Sequence, residues 1–337
     1  MKKKVLFFVA LAALAMATSC SHDEQQSVNN GRAISFNAAL DVTRANDFDT
    51  DNLDAFWATA TGNNGTYFAE KFTKQGSSWE SARKYFWPEY ELKFYAYAPE
   101  AKSNGFTVAN NTTIKDFTVK DKATNQVDLI VGYASGDKAT YPDGGVPMTL
   151  THALSKVKLQ VKGTNTGYKC VIKNVFFGNL QNSGAFDIAK KEWSNQTGKA
   201  SYKQTLANTI TVDGMQNTKV LTVDGSFKLL PQSLVEWDRN SEEIAKTASP
   251  YIGMLVKITT VAGASVHDGP IYLPVKAKTW EPNTEYTYTI DFSDGFGYNE
   301  KGKPIIDSSK PIRFVNVEVS KWTEETVDDI KGGEKTD

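Results

Sequence analysis

From residue 33 to residue 319 the chain repeatedly alternates apolar and polar residues, and this period of two leaves little room for anything but sheet. In Ala33–Val42, the residues Ile34, Phe36, Ala38, Leu40 and Val42 share one face, opposite small and polar neighbours. Val157, Leu159 and Val161 alternate with lysines and Gln160; Tyr286, Tyr288, Ile290 and Phe292 alternate with Thr287, Thr289 and Asp291; Val315, Val317 and Val319 alternate with Asn316 and Glu318. Such runs bury one face and wet the other. Further strands are expected over 55–60, 92–97, 127–131, 171–177, 227–230, 254–261 and 271–275, with Gly, Asn, Asp and Pro between them as turns require. Helical spacing is confined to one short stretch, Ser241–Ala248. The expected class is all-β, built from packed antiparallel sheets.

The N-terminus reads differently. Lys2, Lys3 and Lys4 precede an apolar run from Val5 to Ala17, then Ala17-Thr18-Ser19 and Cys20. This is the order of a secretory signal. The run is too short for a membrane span, which needs roughly 20 residues. A thiol directly after small residues fits lipoprotein processing, in which residues 1–19 are removed and Cys20 carries the lipid. Each buried CH₂ of an acyl chain contributes roughly 0.8 kcal/mol, so two or three chains hold firmly. Residues 20–32 form a polar tether, and its acidic start, Ser21-His22-Asp23-Glu24, resembles the export tag of surface lipoproteins in Bacteroidetes-type bacteria. The expected location is the outer face of the outer membrane.

Composition narrows the chemistry. A formal charge of −1 gives no electrostatic footprint for nucleic acid. With Cys20 lipidated, Cys170 has no partner and reads as a small core residue in a strand. The three histidines, His22, His152 and His267, lie far apart with no zinc-ligand spacing. No nucleophile elbow, zincin helix, P-loop or CxxC occurs. No catalytic residue, metal or cofactor is assigned.

Length favours two domains. The Gly-, Asp- and Pro-rich stretch Ser135–Gly145 divides the chain into an N-terminal domain over 33–145 and a C-terminal domain over 146–325, with an acidic tail over 326–337. A series of short motifs runs through both halves: Tyr85-Phe86-Trp87-Pro88 with Phe94-Tyr95-Ala96-Tyr97-Ala98-Pro99, then Asp128-Leu129-Ile130-Val131-Gly132. Next come Thr151-His152-Ala153-Leu154-Ser155-Lys156, Leu229-Leu230-Pro231-Gln232 and Trp280-Glu281-Pro282-Asn283-Thr284-Glu285-Tyr286-Thr287-Tyr288. In this order, behind Cys20, the set resembles the fimbrillin family (Mfa-like, type V pilin) of Bacteroidetes-type bacteria.

That resemblance implies two tandem antiparallel β-sandwich domains of transthyretin-like form, and a role in fimbriae that serve adhesion. It implies pilin subunits as partners, joined by β-strand addition, the outer membrane as a partner through the lipid anchor, and a host protein or glycan as ligand. Polymerising members are cut by an arginine-specific protease after an early strand, and a neighbour's strand then fills the groove. Here the matching positions are Arg44, in a polar stretch open to proteolysis, and Ile34, Phe36, Ala38, Leu40 and Val42 as the plug strand. The tail after Trp322 is acidic, with only Val327 and Ile330 as larger apolar residues. Either Ile312–Val319 is the donor, or the chain is a non-donating tip, accessory or non-polymerising protein. A different expectation is a glycan-binding surface lipoprotein of a nutrient uptake system, with Trp57, Trp79, Trp193 and Trp237 stacking on sugar rings.

Overall fold

The computed structural model describes residues 33–40, 53–143, 145–222, 226–238, 240, 242–276, 278–306 and 313–322. Cys20, Val42, Arg44 and the acidic tail lie outside them. The fold is all-β. Its first half holds β1 (Ser35–Leu40), β2 (Ala55–Gly62), β3 (Gly65–Gln75), β4 (Ser78–Ser81), β5 (Leu92–Ala98), β6 (Thr107–Ala109), β7 (Thr113–Thr118), β8 (Ile130–Gly136) and β9 (Gly145–His152). Then follow β10 (Ser155–Gly163), β11 (Tyr168–Leu180), β12 (Ser183–Asp187), β13 (Glu192–Thr197), β14 (Ala200–Val212), β15 (Met215–Val220) and β16 (Phe227–Leu229). The last are β17 (Ser233–Leu234), β18 (Tyr251–Thr260), β19 (Ser265–Pro274), β20 (Lys278–Thr279), β21 (Thr284–Asp291) and β22 (Arg313–Lys321).

Seven strands close into a ring in the order β1-β4-β3-β2-β5-β8-β9. Alternation explains its interior: Phe36 and Leu40, Phe56 and Ala58, Phe68 and Phe72, Leu92 and Phe94, and Val146, Met148 and Leu150 all point into one core. Two four-stranded paths, β15-β10-β21-β22 and β14-β11-β18-β19, supply a second, larger core. Val157, Leu159, Tyr286 and Tyr288 come from the first, and Ile172, Phe177, Met254 and Val256 from the second. Pairing is antiparallel except for β1–β9 and β10–β21, which are parallel. The Gly- and Pro-rich stretch over 135–145 links β8 to β9, which are neighbours in the ring. A further sheet, β13-β12-β7-β6, is assembled from both halves of the chain.

Local chemistry accounts for the strands that alternation did not reveal. In β3, Phe68 and Phe72 face the core, but Glu70 lies between them on the same face and accepts a 2.6 Å hydrogen bond from the Tyr85 hydroxyl. A partnered carboxylate at an inward position masks the period. The short helix expected over 241–248 is not formed: Thr247 N donates to Glu243 O as a single turn, and Ile244 N is drawn away to Glu300 O. Tertiary hydrogen bonding there overrides weak local propensity. The expected strand over 127–131 enters the ladder only at Ile130.

Cys170 is a free, fully buried thiol in β11, and burial pushes its pKa up to about 12. The thiolate is the reactive form. A thiol reagent at neutral pH is therefore expected to leave Cys170 unmodified in the native protein and to label it in denaturant, as peptide mass mapping would read. Labelling at equal rates in both states would contradict this placement.

Candidate functional site

β1 is held unevenly. Along one edge it forms a parallel ladder with β9, from Ser35↔Gly145 to Leu40↔Leu150. Along the other it meets β4 at one residue pair, Phe36↔Trp79. Ahead of the strand, Ile34 N donates to Tyr85 O at 2.7 Å. Side chains compensate for the thin seam. The Phe36 ring sits edge-on to Phe72 at 4.7 Å and to Phe56 and Phe94 at 5.5 Å, three aromatic contacts from one residue. Ile34 and Leu40 are also buried, whereas Ala38 is half-buried.

Where β1 and β4 splay, a cavity of about 750 Å³ opens on the outer face of β1. Ser35 and Asn37 line it, with Glu80 and Lys84 on one rim and Tyr141 and Asp143 on the other. Tyr85, whose carbonyl accepts from Ile34 N, packs its ring against Phe68 at 4.8 Å. Burial, and next the hydrogen bond to Glu70, raise its phenol to about 12.

The far end of β9 leads to a polar cluster. His152, the last residue of the strand, lies face to face with Trp322, centroids 3.9 Å apart and planes 4° from parallel. Its Nδ1 is 2.9 Å from Oδ1 of buried Asp128. Asn283 ties the parts together. Its Oδ1 accepts from His152 N at 3.4 Å, its carbonyl accepts from Trp322 N at 3.0 Å, and its own N donates to Leu154 O at 3.1 Å. Its φ of 54° is one that asparagine tolerates better than most residues. By sequence His152 has no ligand spacing that singles it out. Asp128, His152 and Asn283 each lie in a motif that carried the family resemblance, and only the fold shows that the three meet.

The tryptophans expected to stack on sugars are otherwise engaged. Trp79 and Trp237 are buried. Trp193 packs between Phe117 and Phe186 and donates to Ala153 O. Trp57 is half-buried, with Tyr97 stacked beside it at 6.2 Å and Lys71 Nζ 5.4 Å from its ring centre. No group of three or more His, Cys, Asp or Glu is placed to hold a metal among the described residues.

The chain matches the fimbrillin-like family profile over residues 43–322. Among solved structures, a fimbrial protein from Bacteroides vulgatus superposes with a TM-score of 0.61 at 17% identity, covering 87% of this chain and 100% of that one. A candidate cell adhesion protein from Parabacteroides distasonis superposes at 0.51 and 10% identity, covering 87% and 98%. At these identities the likeness is one of fold. No curated protein matches the chain at a significant score. The profile spans most of the sequence, and the chain belongs to the fimbrillin-like family.

Proposed function

We propose that this protein is a cell-surface fimbrial subunit that assembles by strand exchange and serves adhesion, anchored through a lipid on Cys20 until it is processed after Arg44. In this reading the chain forms two tandem transthyretin-like β-sandwich units, with the passage between them near His152. The observation that carries the reading is the seating of β1: it fills the ring's core with Phe36 yet meets β4 at a single residue pair. A strand held in this way shields apolar surface and backbone groups on its neighbours, and a strand from another molecule repairs both. Arg44 lies four residues beyond Leu40, so a cut there leaves β1 on the released fragment with its anchor. β22 lies at the edge of its sheet and pairs with β21 alone among the described strands, which makes it the donor candidate.

The test is digestion of the purified full chain with an arginine-specific protease, followed by N-terminal sequencing and gel electrophoresis without boiling. The expected product begins at Ala45 and forms a ladder of oligomers. A chain left uncut at Arg44, or a cut chain that stays monomeric, removes the strand-exchange part of the reading.

A further inference from the structure

The arrangement of β9 joins the first strand of the ring to the last strand of the fold. Within the ring, β9 pairs with β8 only through Leu150, Thr151 and His152. Among the described strands, residues 145–149 take their ladder partners from β1 alone. Loss of β1 therefore leaves residues 145–149 without a strand neighbour among the described residues, while the other end of β9 keeps three residue pairs to β8 and the contacts of His152 with Asp128 and Asn283. A strand stripped of its neighbour along most of its length opens locally more readily, and that strain reaches its remaining end. The end in question is His152, whose ring covers one face of the Trp322 indole. Trp322 directly follows β22, and its backbone is pinned through Asn283, which also holds His152.

We propose that β9 is a mechanical link by which departure of β1 loosens the His152–Trp322 stack at the end of β22, so that release of the plug strand also weakens the hold on the C-terminal strand, which its ladder with β21 otherwise keeps. In the proposed assembly a subunit would then present its donor strand only after its own groove has opened. The inference rests on the strand-exchange reading for its purpose, but the coupling itself belongs to the single uncut chain. His152 acts here as a positioning residue. Coupling of this kind is a free energy shared by both ends, and typical values correspond to about 5- to 150-fold.

The experiment is amide hydrogen exchange by mass spectrometry on the full chain, following peptides over 33–40, 145–152 and 313–322, with β11 and β18 as controls. Phe36→Leu, or Phe36→Ala where leucine leaves β1 protected, weakens the seat of β1. The expected result is about tenfold faster exchange in 313–322 in the native background, and less than about twofold in a His152→Ala background, where the link is already cut. Two results overturn the proposal. One is acceleration of 33–40 and 145–152 with 313–322 unchanged. The other is the same acceleration of 313–322 in both backgrounds, which is also what loss of the whole fold would give, with β11 and β18 rising together. Neither result depends on cleavage or polymer formation, so failure of the coupling is separable from failure of strand exchange.

Discussion

Phe36→Ala is expected to lower the free energy of unfolding by about 3–5 kcal/mol, the usual range for deleting a buried phenylalanine ring. The position has no slack. Phe36 is fully buried, and its ring is the shared partner of Phe56, Phe72 and Phe94, each on a different strand of the ring. Alanine leaves a cavity bounded by three aromatic rings that cannot all move inward, because each is fixed by its own ladder. Lost transfer free energy and lost packing therefore add. The single residue pair to β4 offers little backbone hydrogen bonding in reserve. Urea denaturation read by far-UV circular dichroism gives the number. A loss below about 1 kcal/mol, well under the range for such truncations, would mean that the ring does not lean on β1, and the plug argument would fall with it.

Trp280→Ala is expected to cost as much, about 3–5 kcal/mol, in the other core. Trp280 is 1% exposed, packs edge-on against Phe177 at 5.9 Å, and donates through Nε1 to the Tyr288 hydroxyl at 2.9 Å. Its backbone N also donates to Gln232 O, which ties two of the sequence motifs together. Truncation opens a large cavity and removes one hydrogen bond from the buried Tyr288 hydroxyl, of which the usual net worth is about 0.5–1.5 kcal/mol. Trp280→Phe separates the two effects, since it keeps a ring and removes the donor. It is expected to recover more than half of the loss in the same urea experiment. Equal losses for the two variants would place the whole effect in the hydrogen bond and contradict the packing argument.

Tyr288 also predicts a response to alkali. Burial holds its phenol up to about 12, and Tyr85 is raised to the same level by burial and by Glu70. An unfolded phenol ionises near pH 10. Below that pH both states keep the proton and the stabilisation is present in full. As pH rises from about 10 towards about 12 the unfolded chain gives up the proton first, so the stabilisation is progressively lost. Tyrosinate absorbance is expected to rise in a late step that coincides with loss of circular dichroism. Smooth titration of every tyrosine near pH 10 in a chain that stays folded would refute it.

What the sequence by itself determined was the material of the fold. Alternation at 34–40, 157–161 and 286–290 identified strands and their buried faces, because the side-chain period of a strand is a local property of its backbone. The ordered motifs identified the family. Alternation failed at β3, where Glu70 at an inward position finds Tyr85, and helical spacing failed over 241–248, where Glu300 claims a backbone amide. In both cases the deciding partner is distant in the chain. Only the tertiary structure decided which strands are neighbours: that Ser35 pairs with Gly145, that β7 pairs with β12, and that His152 lies against Trp322. The ladder that joins strands is made of backbone groups common to nearly every residue, so pairing leaves no mark in the local sequence. It is settled by which arrangement buries all the apolar faces at once, and that is a property of the whole chain.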